Sequence, residues 1–413
     1  MTSQTTDAGL QADADTILLD IVDLRRRLHR CPEIGLQLPR SQAILVEALQ
    51  GLGLESRLGR TTTSVTAIIE GTGKPDPLDA RAADRTIVLR ADMDGLPLTE
   101  ETDLEFASET PGAMHACGHD THVAMLIGGA QLLLARRDQF SGRVVLMFQP
   151  GEEGYHGARY MIEEGLLDGI EGRPGSAAFA LHISTRYQSG TLNLRHGPLL
   201  AAADRLIITV QGRGGHASAP HLAIDPITVA AELILAVQVM VTRTVDPFDP
   251  AVITIARVSS GTTNNIIPET AEIEGTMRTL SEVARTAVKD RIRQVAAGIG
   301  AAHGAAIEVQ IDPGFPVTVN DRAITDLVRS VSAELAGPAA TREMTAPIMG
   351  AEDFSYVLQR VPGMMAFLGA RPAGLDEATS PMNHSNRVIF DESAMALGAA
   401  TYAAVVLRHL GTG

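Results

Sequence analysis

The stretch Val144-Val-Leu-Met-Phe-Gln-Pro-Gly-Glu-Glu-Gly154 joins an unbroken apolar run to two adjacent carboxylates. A short continuous run of this kind is typical of a β-strand that is covered on both faces. Similar runs lie at 65–69, 86–90 and 177–181, and a helical pattern lies at 121–136. Because strands alternate with helices, the sequence predicts an α/β domain with a mostly parallel central sheet flanked by helices.

Polar side chains follow three of these predicted strands directly. They are Asp92 and Asp94, Glu152 and Glu153, and His182 at the end of its run. In open α/β sheets, ligands bind beyond the carboxyl ends of the strands. We therefore expect these side chains to meet at one edge of the sheet and to form a site there.

Thiol and imidazole side chains crowd into the segment Met114-His-Ala-Cys-Gly-His-Asp-Thr-His122. Cys117 and His119 are separated by one glycine, so both side chains can leave a tight loop toward a common point. Thiolate, imidazole and carboxylate groups bind borderline divalent metals such as zinc. His115 and His122 are weaker candidates, since His122 opens the predicted helix and can cap it or pack. The alternative is a buried thiol among structural histidines.

The adjacent carboxylates suggest a division of labour. Glu152 and Glu153 cannot point the same way from an extended loop, so one can bind metal while the other accepts a proton from a metal-bound water. A solvated acidic loop is the alternative. One of Asp92 and Asp94 can orient a ligand histidine, unless both belong to a simple turn. His384, on a later loop, can be a further ligand.

A second domain is predicted after about residue 205. Asp225 is a good helix cap before Pro226, and the order of elements is β-α-β-β-α-β, as in a ferredoxin-like unit. The predicted elements are strands at 206–210, 252–258, 271–279 and 307–311 and helices at 225–242 and 282–302. We read this unit as an insertion, so that the domains are 1–202 (first part of the catalytic domain), 203–313 (inserted lid and dimerisation domain) and 314–413 (second part).

Three polar residues of the predicted insertion are candidates for substrate binding. His216 lies in a glycine-rich turn, where it can approach a substrate closely. Arg278 ends a predicted strand and can hold a carboxylate with two hydrogen bonds. Asn265, next to Asn264, can donate to an oxyanion. A turn or a surface pair is the structural alternative for each.

The overall composition excludes some classes of protein. The 413 residues carry a net charge of -15, which argues against a nucleic-acid partner because phosphates would be repelled. The only cysteines are Cys31 and Cys117, so a disulfide framework is excluded and a reducing compartment is expected. The polar N-terminus is unlike a signal peptide, and the apolar run 229–241 is too short for a membrane span. We expect a cytoplasmic protein, with a surface loop at 76–84.

These motifs resemble the aminoacylase/carboxypeptidase superfamily of two-metal amidohydrolases. Within it, the chain is similar to the branch of hippurate hydrolases, N-acyl-amino-acid amidohydrolases and auxin-conjugate hydrolases. The matching segments run in family order over nearly the whole chain: 26–30, 32–33, 90–97, 114–122, 149–154, 214–218, 265–268, 277–279, 350–354 and 383–385.

The resemblance implies two divalent metal ions per subunit, with zinc, manganese, cobalt and nickel all open. It implies five metal ligands: Cys117, His119, Glu153, His182 and His384. It further implies Glu152 as general base and acid, Asp94 as the carboxylate that orients the site, His216 as stabiliser of the tetrahedral intermediate, Arg278 as anchor of a substrate carboxylate, and Asn265 close to that carboxylate. Asp92 stands where other branches have a ligand histidine.

The expected reaction is hydrolysis of the amide bond of an N-acyl or N-aroyl amino acid. The lid domain is expected to form a homodimer or homotetramer, as it often does in the family. A dipeptidase or metallocarboxypeptidase with the same machinery is the nearest alternative. A non-enzymatic metal-binding relative and a cysteine hydrolase that uses Cys117 are the others.

Overall fold

The computed structural model describes residues 4–75 and 84–411, so most of the surface loop expected at 76–84 lies outside the described residues. The helices are α1 (Gln4–Thr16), α2 (Leu18–His29), α3 (Pro39–Gly51), α4 (His119–Leu134), α5 (Gly157–Glu163), α6 (Pro226–Thr244), α7 (Glu282–His303), α8 (Arg322–Leu335), α9 (Ser355–Leu358) and α10 (Ala394–Leu410). The strands are β1 (Ser56–Leu58), β2 (Val65–Glu70), β3 (Thr86–Asp92), β4 (Arg143–Gln149), β5 (Ala177–Gln188), β6 (Leu192–Leu194), β7 (Gly197–Leu200), β8 (Ala202–Gln211), β9 (Gly215–His216), β10 (Ala251–Ser260), β11 (Ile266–Ile267), β12 (Thr270–Thr279), β13 (Ala306–Pro313), β14 (Thr318–Asn320), β15 (Thr341–Glu343) and β16 (Gly363–Arg371).

The chain divides into two compact units. The larger unit comprises Met1–Leu199, Val319–Ala346 and Tyr356–Gly413, and the smaller unit comprises Leu200–Thr318 and Pro347–Ser355. The division into 1–202, 203–313 and 314–413 that we drew from the sequence, with its lid and dimerisation roles, stays a prediction.

The larger unit is built on one mixed sheet, as the sequence predicts. Its strand order is β1-β2-β4-β3-β5-β16-β6-β15. The four central strands β4, β3, β5 and β16 run parallel, whereas β1, β2 and β6 each pair antiparallel with a neighbour. Every residue of β3 is buried, because helices cover the sheet. The parallel strands therefore bring their carboxyl ends to one edge.

Helix α4 carries part of the candidate site, and glycines let it approach its neighbour closely. A Cβ on Gly129 would stand 2.8 Å from Cβ of Tyr402 in α10, and a Cβ on Gly398 would stand 2.1 Å from Sδ of Met125. Tyr402 also donates its hydroxyl to the carbonyl of Arg90 at 2.8 Å and accepts the N–H of Leu181 at 3.1 Å. Helix α10 thus holds α4, β3 and β5 together beneath the site.

The N-terminal segment forms two helices instead of one continuous helix. The backbone of Ile17 is not helical, and this residue separates α1 from α2. Helix α1 extends back to Gln4 and buries Leu10 and Ala14 fully. The sequence of α1 is mostly polar, and two buried apolar positions are too few to give a recognisable helical periodicity. The packing of α1 was therefore not predictable from the sequence.

The smaller unit confirms the ferredoxin-like order. Its antiparallel sheet has the order β10-β12-β8-β13, and α6 and α7 pack on one face of it. Asp225 caps α6 by accepting the N–H of Ile227 at 2.9 Å, as its place before Pro226 predicts. Helix α6 is longer than its apolar run indicated, and by length and composition alone it meets the criterion for a membrane span. Val229, Leu233 and Val237 on one face of α6 lie in the core of the smaller unit.

Candidate metal centre

The larger unit brings the five predicted metal ligands together. Ligand atoms of Cys117, His119 and His182 lie within 4.8 Å of one another, and so do those of Cys117, Glu153 and His384. The two groups share the sulfur of Cys117. Because a thiolate can bridge two cations, this arrangement fits two metal ions held side by side, each with ligands from different loops.

Two distances define the centre most directly. Cys117 Sγ lies 3.4 Å from His182 Nε2, and Glu153 Oε1 lies 3.1 Å from His384 Nε2. The sequence suggested that His182 ends its strand. Instead, β5 continues past His182 to Gln188, because it pairs with β16. Its side chain still reaches the thiol, since Cys117 lies in the loop just before α4.

Hydrogen bonds fix the tautomers of two ligand histidines. His119 Nδ1 donates to the carbonyl of Asp94 at 2.9 Å, and His182 Nδ1 donates to the carbonyl of Ile183 at 2.8 Å. Each histidine therefore carries a proton on Nδ1, which leaves Nε2 as the ring nitrogen that can face a metal. Among the described residues, buried His119 Nε2 forms no hydrogen bond of good geometry, although Asp92 Oδ2 lies 3.4 Å away, as expected of an atom placed to bind a metal.

The electrostatics of the centre depend on burial and on neighbouring ligands. Burial lowers the pKa of His182 well below its ordinary value, so this imidazole is neutral. Hydrogen bonds to Cys117 and Glu153 raise the pKa of His384 to about 10. Burial raises the pKa of the Cys117 thiol, which is the opposite of what a nucleophilic cysteine needs and disfavours the cysteine-hydrolase alternative.

The two adjacent glutamates are held by their backbone. Asp94 Oδ1 accepts the N–H of Glu152 at 3.1 Å, and Asp94 Oδ2 accepts the N–H of Glu153 at 3.0 Å. Glu152 and Glu153 lie in a turn, not in an extended loop, and their carboxylate oxygens lie within 4.8 Å of each other and of a ring nitrogen of His119. The expectation that the two side chains cannot point the same way is therefore wrong, because the turn brings both to the cluster. Glu152 is 7% exposed, so its carboxylate is shielded from bulk water beside the ligand cluster.

Asp92 and His122 lie under the centre. Arg90 Nη1 contacts Asp92 Oδ2 at 2.8 Å, and His122 Nδ1 contacts Asp92 Oδ1 at 2.5 Å. Arg90 and the histidines hold the pKa of Asp92 well below its ordinary value, against the effect of burial. Asp92 is thus an ion-paired support. His115, the other weak candidate, is buried, and burial lowers its pKa to about 4.

Two backbone features shape the ligand loops. Gly118, between two ligands, has φ 88°, and a Cβ there would lie 2.5 Å from Cγ2 of Ile183. His384 has φ 70°, a left-handed conformation that is rare for a residue with a side chain. Asn383 Nδ2 donates to the carbonyls of Cys117 at 3.1 Å and Ile183 at 3.0 Å. Asn383 therefore ties three ligand loops together, a role that its sequence context did not indicate.

A buried ion cluster behind the ligands was also not predicted from the sequence. Arg25 Nε lies 2.7 Å from Asp120 Oδ2, and His29 Nδ1 lies 2.8 Å from the same oxygen. Asp120 follows the ligand His119 directly, so the cluster fixes the start of α4. The sequence offered one indication of this cluster. Charged residues occur on the buried face of α2, in and next to the matching segment 26–30.

Comparison with known proteins agrees with this geometry. The model of Peptidase family M20/M25/M40 matches residues 88–408, more than half of the chain. The chain belongs to the M20 peptidase family.

Curated relatives fit the amidohydrolase branch that the sequence indicated, together with peptidases. The chain is 41% identical over 392 residues to Thermostable carboxypeptidase 2 of Saccharolobus solfataricus, covering 94% of this chain and 95% of that protein. It is 39% identical to N-acetyl-L-cysteine deacetylase of Bacillus subtilis, over 86% of this chain and 81% of the relative. It is 35% identical to IAA-amino acid hydrolase ILR1-like 4 of Arabidopsis thaliana, over 94% and 86%.

A solved structure supports both the fold and the metal site. The Bacillus subtilis YXEP protein, described as a dinuclear metal binding peptidase from the M20 family, superposes with a TM-score of 0.80 at 32% identity. The match covers 96% of this chain and 99% of that one. This M20 chain is therefore a hydrolase whose clustered ligands fit a dinuclear metal centre.

The substrate-binding candidates of this M20 chain all lie in the smaller unit. His216 in β9 pairs with Ile266 in β11, and the N–H of Ala217 donates to the carbonyl of Asn265 at 3.0 Å. His216 and Asn265 are thus close neighbours, and both are exposed. The structure does not bring Arg278 to them, because Arg278 lies next to the last residue of β12, at the far end of that strand.

Arg278 is half-buried and forms its hydrogen bonds within its own strand. Its guanidinium donates to the carbonyl of Met277 at 3.3 Å and to the hydroxyl of Thr276. Within the described part of the chain it forms no ion pair, and burial lowers its pKa. A half-buried cation without a carboxylate partner is suited to accept one from a ligand.

Proposed function

We propose that this M20 hydrolase cleaves the amide bond of N-acyl or N-aroyl amino acids, releasing a carboxylic acid and a free amino acid. One observation carries the proposal: two three-residue ligand groups share Cys117 and stand beside the buried carboxylate of Glu152. The donor set of sulfur, imidazole and carboxylate is compatible with zinc, manganese, cobalt or nickel. The relatives named as deacetylase and as IAA-amino acid hydrolase support the substrate class.

The proposed ligands are the five residues Cys117, His119, Glu153, His182 and His384. When bound, the ions supply Lewis-acid activation of a water molecule and of the substrate carbonyl. Glu152 accepts the proton of the attacking water on a carboxylate oxygen and passes it to the leaving amine nitrogen. Asp94 keeps Glu152 and Glu153 in place through their backbone N–H groups.

His216 is proposed to stabilise the oxyanion of the tetrahedral intermediate. The backbone N–H of Ser218 donates to His216 Nδ1 at 3.1 Å. Because an N–H can only donate, Nδ1 is the acceptor and the ring proton resides on Nε2. The neutral imidazole thus presents an Nε2–H donor, the group that an oxyanion needs.

The distance between His216 and Arg278 supports a dimeric site. Strand β12 pairs with β8 from Thr270 to Thr279, and β8 leads at Gln211 into the turn that carries His216. The segment from Thr270 to Arg278 spans roughly 26 Å at ~3.3 Å per residue. This exceeds the length of an N-acyl amino acid, so one smaller unit cannot offer both groups to one substrate. We propose that a second copy supplies His216 and Asn265.

Helix α6 offers a surface for that second copy. Its outer face exposes Ile227, Leu235 and Val239, and Leu235 is 68% exposed. Apolar residues at this spacing suit burial against another protein surface. We expect a homodimer, or a homotetramer built from it, and Leu235→Glu should convert the oligomer to monomers in light scattering. A monomeric wild-type chain would contradict the proposal.

A peptidase acting on short peptides is the second candidate. The relative named carboxypeptidase, at 41% identity, favours it. Both reactions place a free carboxylate near Arg278, and they differ in the group on the other side of the scissile amide.

Because Cys117 and Cys31 are free thiols, we place the protein in a reducing compartment, the cytoplasm; cell fractionation checks this.

A substrate panel tests the proposed function. Purified protein would be assayed on N-acetyl amino acids, N-benzoyl amino acids, dipeptides and C-terminally blocked peptides, with and without a chelator. We expect the highest kcat/KM on N-acyl or N-aroyl amino acids and loss of activity with chelator that added divalent metal restores. Faster cleavage of peptides would assign the second candidate instead, and chelator-resistant activity would contradict both.

A further inference from the structure

His122 is a fully buried histidine whose two ring nitrogens both have fixed partners. The backbone N–H of Ile183 donates to His122 Nε2 at 2.8 Å. Nε2 is therefore the acceptor, and the proton on Nδ1 is donated to Asp92 Oδ1 at 2.5 Å. Neither nitrogen has a lone pair left for a metal, although His122 lies among the ligand residues. The role of His122 therefore depends on which residues its two hydrogen-bond partners hold in place.

Asp92 connects His122 to the ligand His119. Arg90 holds Asp92 Oδ2 at 2.8 Å, and the same oxygen lies 3.4 Å from His119 Nε2. With one oxygen engaged by His122 and the other by Arg90, Asp92 is a fixed anion. Its position limits how far the His119 ring can turn. His122 in turn fixes the position of Asp92.

Ile183 connects His122 to the ligand His182. The N–H of Ile183 is held by His122, and its carbonyl accepts Nδ1–H of His182 at 2.8 Å. The same peptide segment thus anchors the tautomer of His182. The rings of His122 and His182 are also in edge contact, with centroids 4.8 Å apart.

The two ligand groups of the metal centre are held in place by different hydrogen-bond partners. His122 reaches His119 through Asp92 and His182 through Ile183, and these two ligands form one group with the shared Cys117. Glu153, in the other group, is held by Asp94, and the backbone N–H of His384 donates to the carbonyl of Ala116 at 2.9 Å. The partners of His122 bond directly to neither Glu153 nor His384; the link to the loop of His384 takes one further step, through Asn383 Nδ2 on the carbonyl of Ile183 at 3.0 Å.

We propose that His122 is a positioning residue that holds the His119–His182 half of the metal centre, through Asp92 on one side and the backbone of Ile183 on the other. This inference rests on the proposed dinuclear centre. It predicts that loss of His122 weakens one metal site and leaves the other unchanged. Partners behind metal ligands typically contribute roughly 10- to 100-fold in metal affinity.

The test compares His122→Phe with His122→Gln. Phenylalanine keeps an aromatic ring but removes both hydrogen bonds, whereas glutamine retains one donor for Asp92 and one acceptor for Ile183. Metal-free protein would be titrated with Co²⁺, with binding read from the sulfur-to-cobalt charge-transfer band and from competition with a chelator. His409→Phe is the control, since His409 is another histidine with a backbone partner, bonded to the carbonyl of Gly175 at 2.9 Å.

We expect two sites in the wild type, His409→Phe and His122→Gln. In His122→Phe, one site should weaken about 10- to 100-fold and the other should keep its affinity. Equal weakening of both sites, no weakening, or failure of glutamine to rescue would overturn the positioning role. If His122→Phe does not fold, ¹⁵N NMR of histidine-labelled wild type decides: the Nδ1–H tautomer of His122 supports the inference, and the Nε2–H tautomer refutes it.

The result of this metal-binding test can be distinguished from the result of the test of the proposed function. Wild-type protein that binds two Co²⁺ ions but hydrolyses no N-acyl amino acid would refute the substrate and leave the role of His122 standing. Wild-type protein that binds fewer than two ions would overturn the centre and this inference together.

Discussion

Asp94 accepts the backbone N–H of Glu152 at 3.1 Å with one carboxylate oxygen, and its other oxygen accepts the N–H of Glu153 at 3.0 Å. One side chain just beyond the end of β3 thereby fixes the loop after β4. This loop is a turn, in which the carboxylates of Glu152 and Glu153 both reach His119. Holding both N–H groups therefore sets which glutamate faces which part of the cluster.

Asp94→Asn tests this arrangement. Asparagine can accept only one of the two N–H groups, so the loop should loosen while the ligands remain. We expect kcat to fall about 10- to 100-fold, with a loss of stability of about 1–3 kcal/mol. Steady-state kinetics and thermal unfolding measure both effects. Asp168→Asn, at an exposed carboxylate of the larger unit, is the control and should change neither; an active Asp94→Asn enzyme would count against the role.

Mixed oligomers test whether His216 acts on the partner's site. His216→Ala and Glu152→Gln should each be nearly inactive alone. If His216 comes from a second copy, a mixed dimer has one site with both native groups, so an equimolar mixture should recover about a quarter of the wild-type activity. The two variants would be unfolded and refolded together before assay. If the mixture stays as inactive as its components, His216 serves the site of its own chain.

Arg278→Met tests the anchor for a carboxylate. Loss of a charge-assisted hydrogen bond, worth about 1.5–3 kcal/mol, should lower kcat/KM about 10- to 100-fold for substrates with a free carboxylate. The same substrates as amides should be hydrolysed poorly, and equally, by both enzymes. Arg257→Met, at an exposed arginine that pairs with Glu274 at 2.5 Å on the same sheet, should match the wild type. Equal losses on carboxylate and amide substrates would remove Arg278 from substrate binding.

Asp204→Asn tests a buried ion cluster that ties β8 to α7. Asp204 contacts Arg285 at 2.8 Å and Lys289 at 2.9 Å, and hydrogen bonds to both lower its pKa despite burial. A lowered folded-state pKa means that the stabilisation is present above the unfolded value of about 3.9 and is lost as pH falls through the folded value.

At neutral pH, Asp204→Asn should destabilise the smaller unit by about 1.5–3 kcal/mol, because Arg285 and Lys289 both lose a charged partner while Arg285 keeps its contact with Glu282 at 3.2 Å. The difference from wild type should shrink below about pH 4. Urea unfolding followed by circular dichroism is suitable, since the protein has no tryptophan. Asp290→Asn, at an exposed position of α7, is the control. A difference that grows toward low pH would contradict a lowered pKa for Asp204 in the folded protein.

The sequence predicted those parts of the fold that depend on local patterns. Apolar runs marked β3, β4 and β5, and the cap at Asp225 marked the start of α6. The extent of β5 was not predictable, because it pairs with β16, which lies far along the chain at Gly363–Arg371. A local pattern carries no information about such a partner.

The candidate site shows the same limit. Residue type and spacing pointed to Cys117 and His119 as ligands, and the structure brings them together with His182. The supports were not predictable, because the contact of Arg25 with Asp120 joins residues far apart in the chain. Nor can spacing reveal which ring nitrogen of His122 carries a proton, since the N–H of Ile183 determines it.

Metal content measured together with turnover, in wild type and Glu152→Gln, tests the central claim most directly. Both proteins should hold two divalent ions per chain by elemental analysis, because Glu152 is not one of the five proposed ligands. Only the wild type should hydrolyse N-acyl amino acids efficiently, with the variant slower by about 10²- to 10⁴-fold, as expected for loss of a general base and acid. A Glu152→Gln protein that retains its activity, or a wild-type protein that is fully active without two bound ions, would contradict the account.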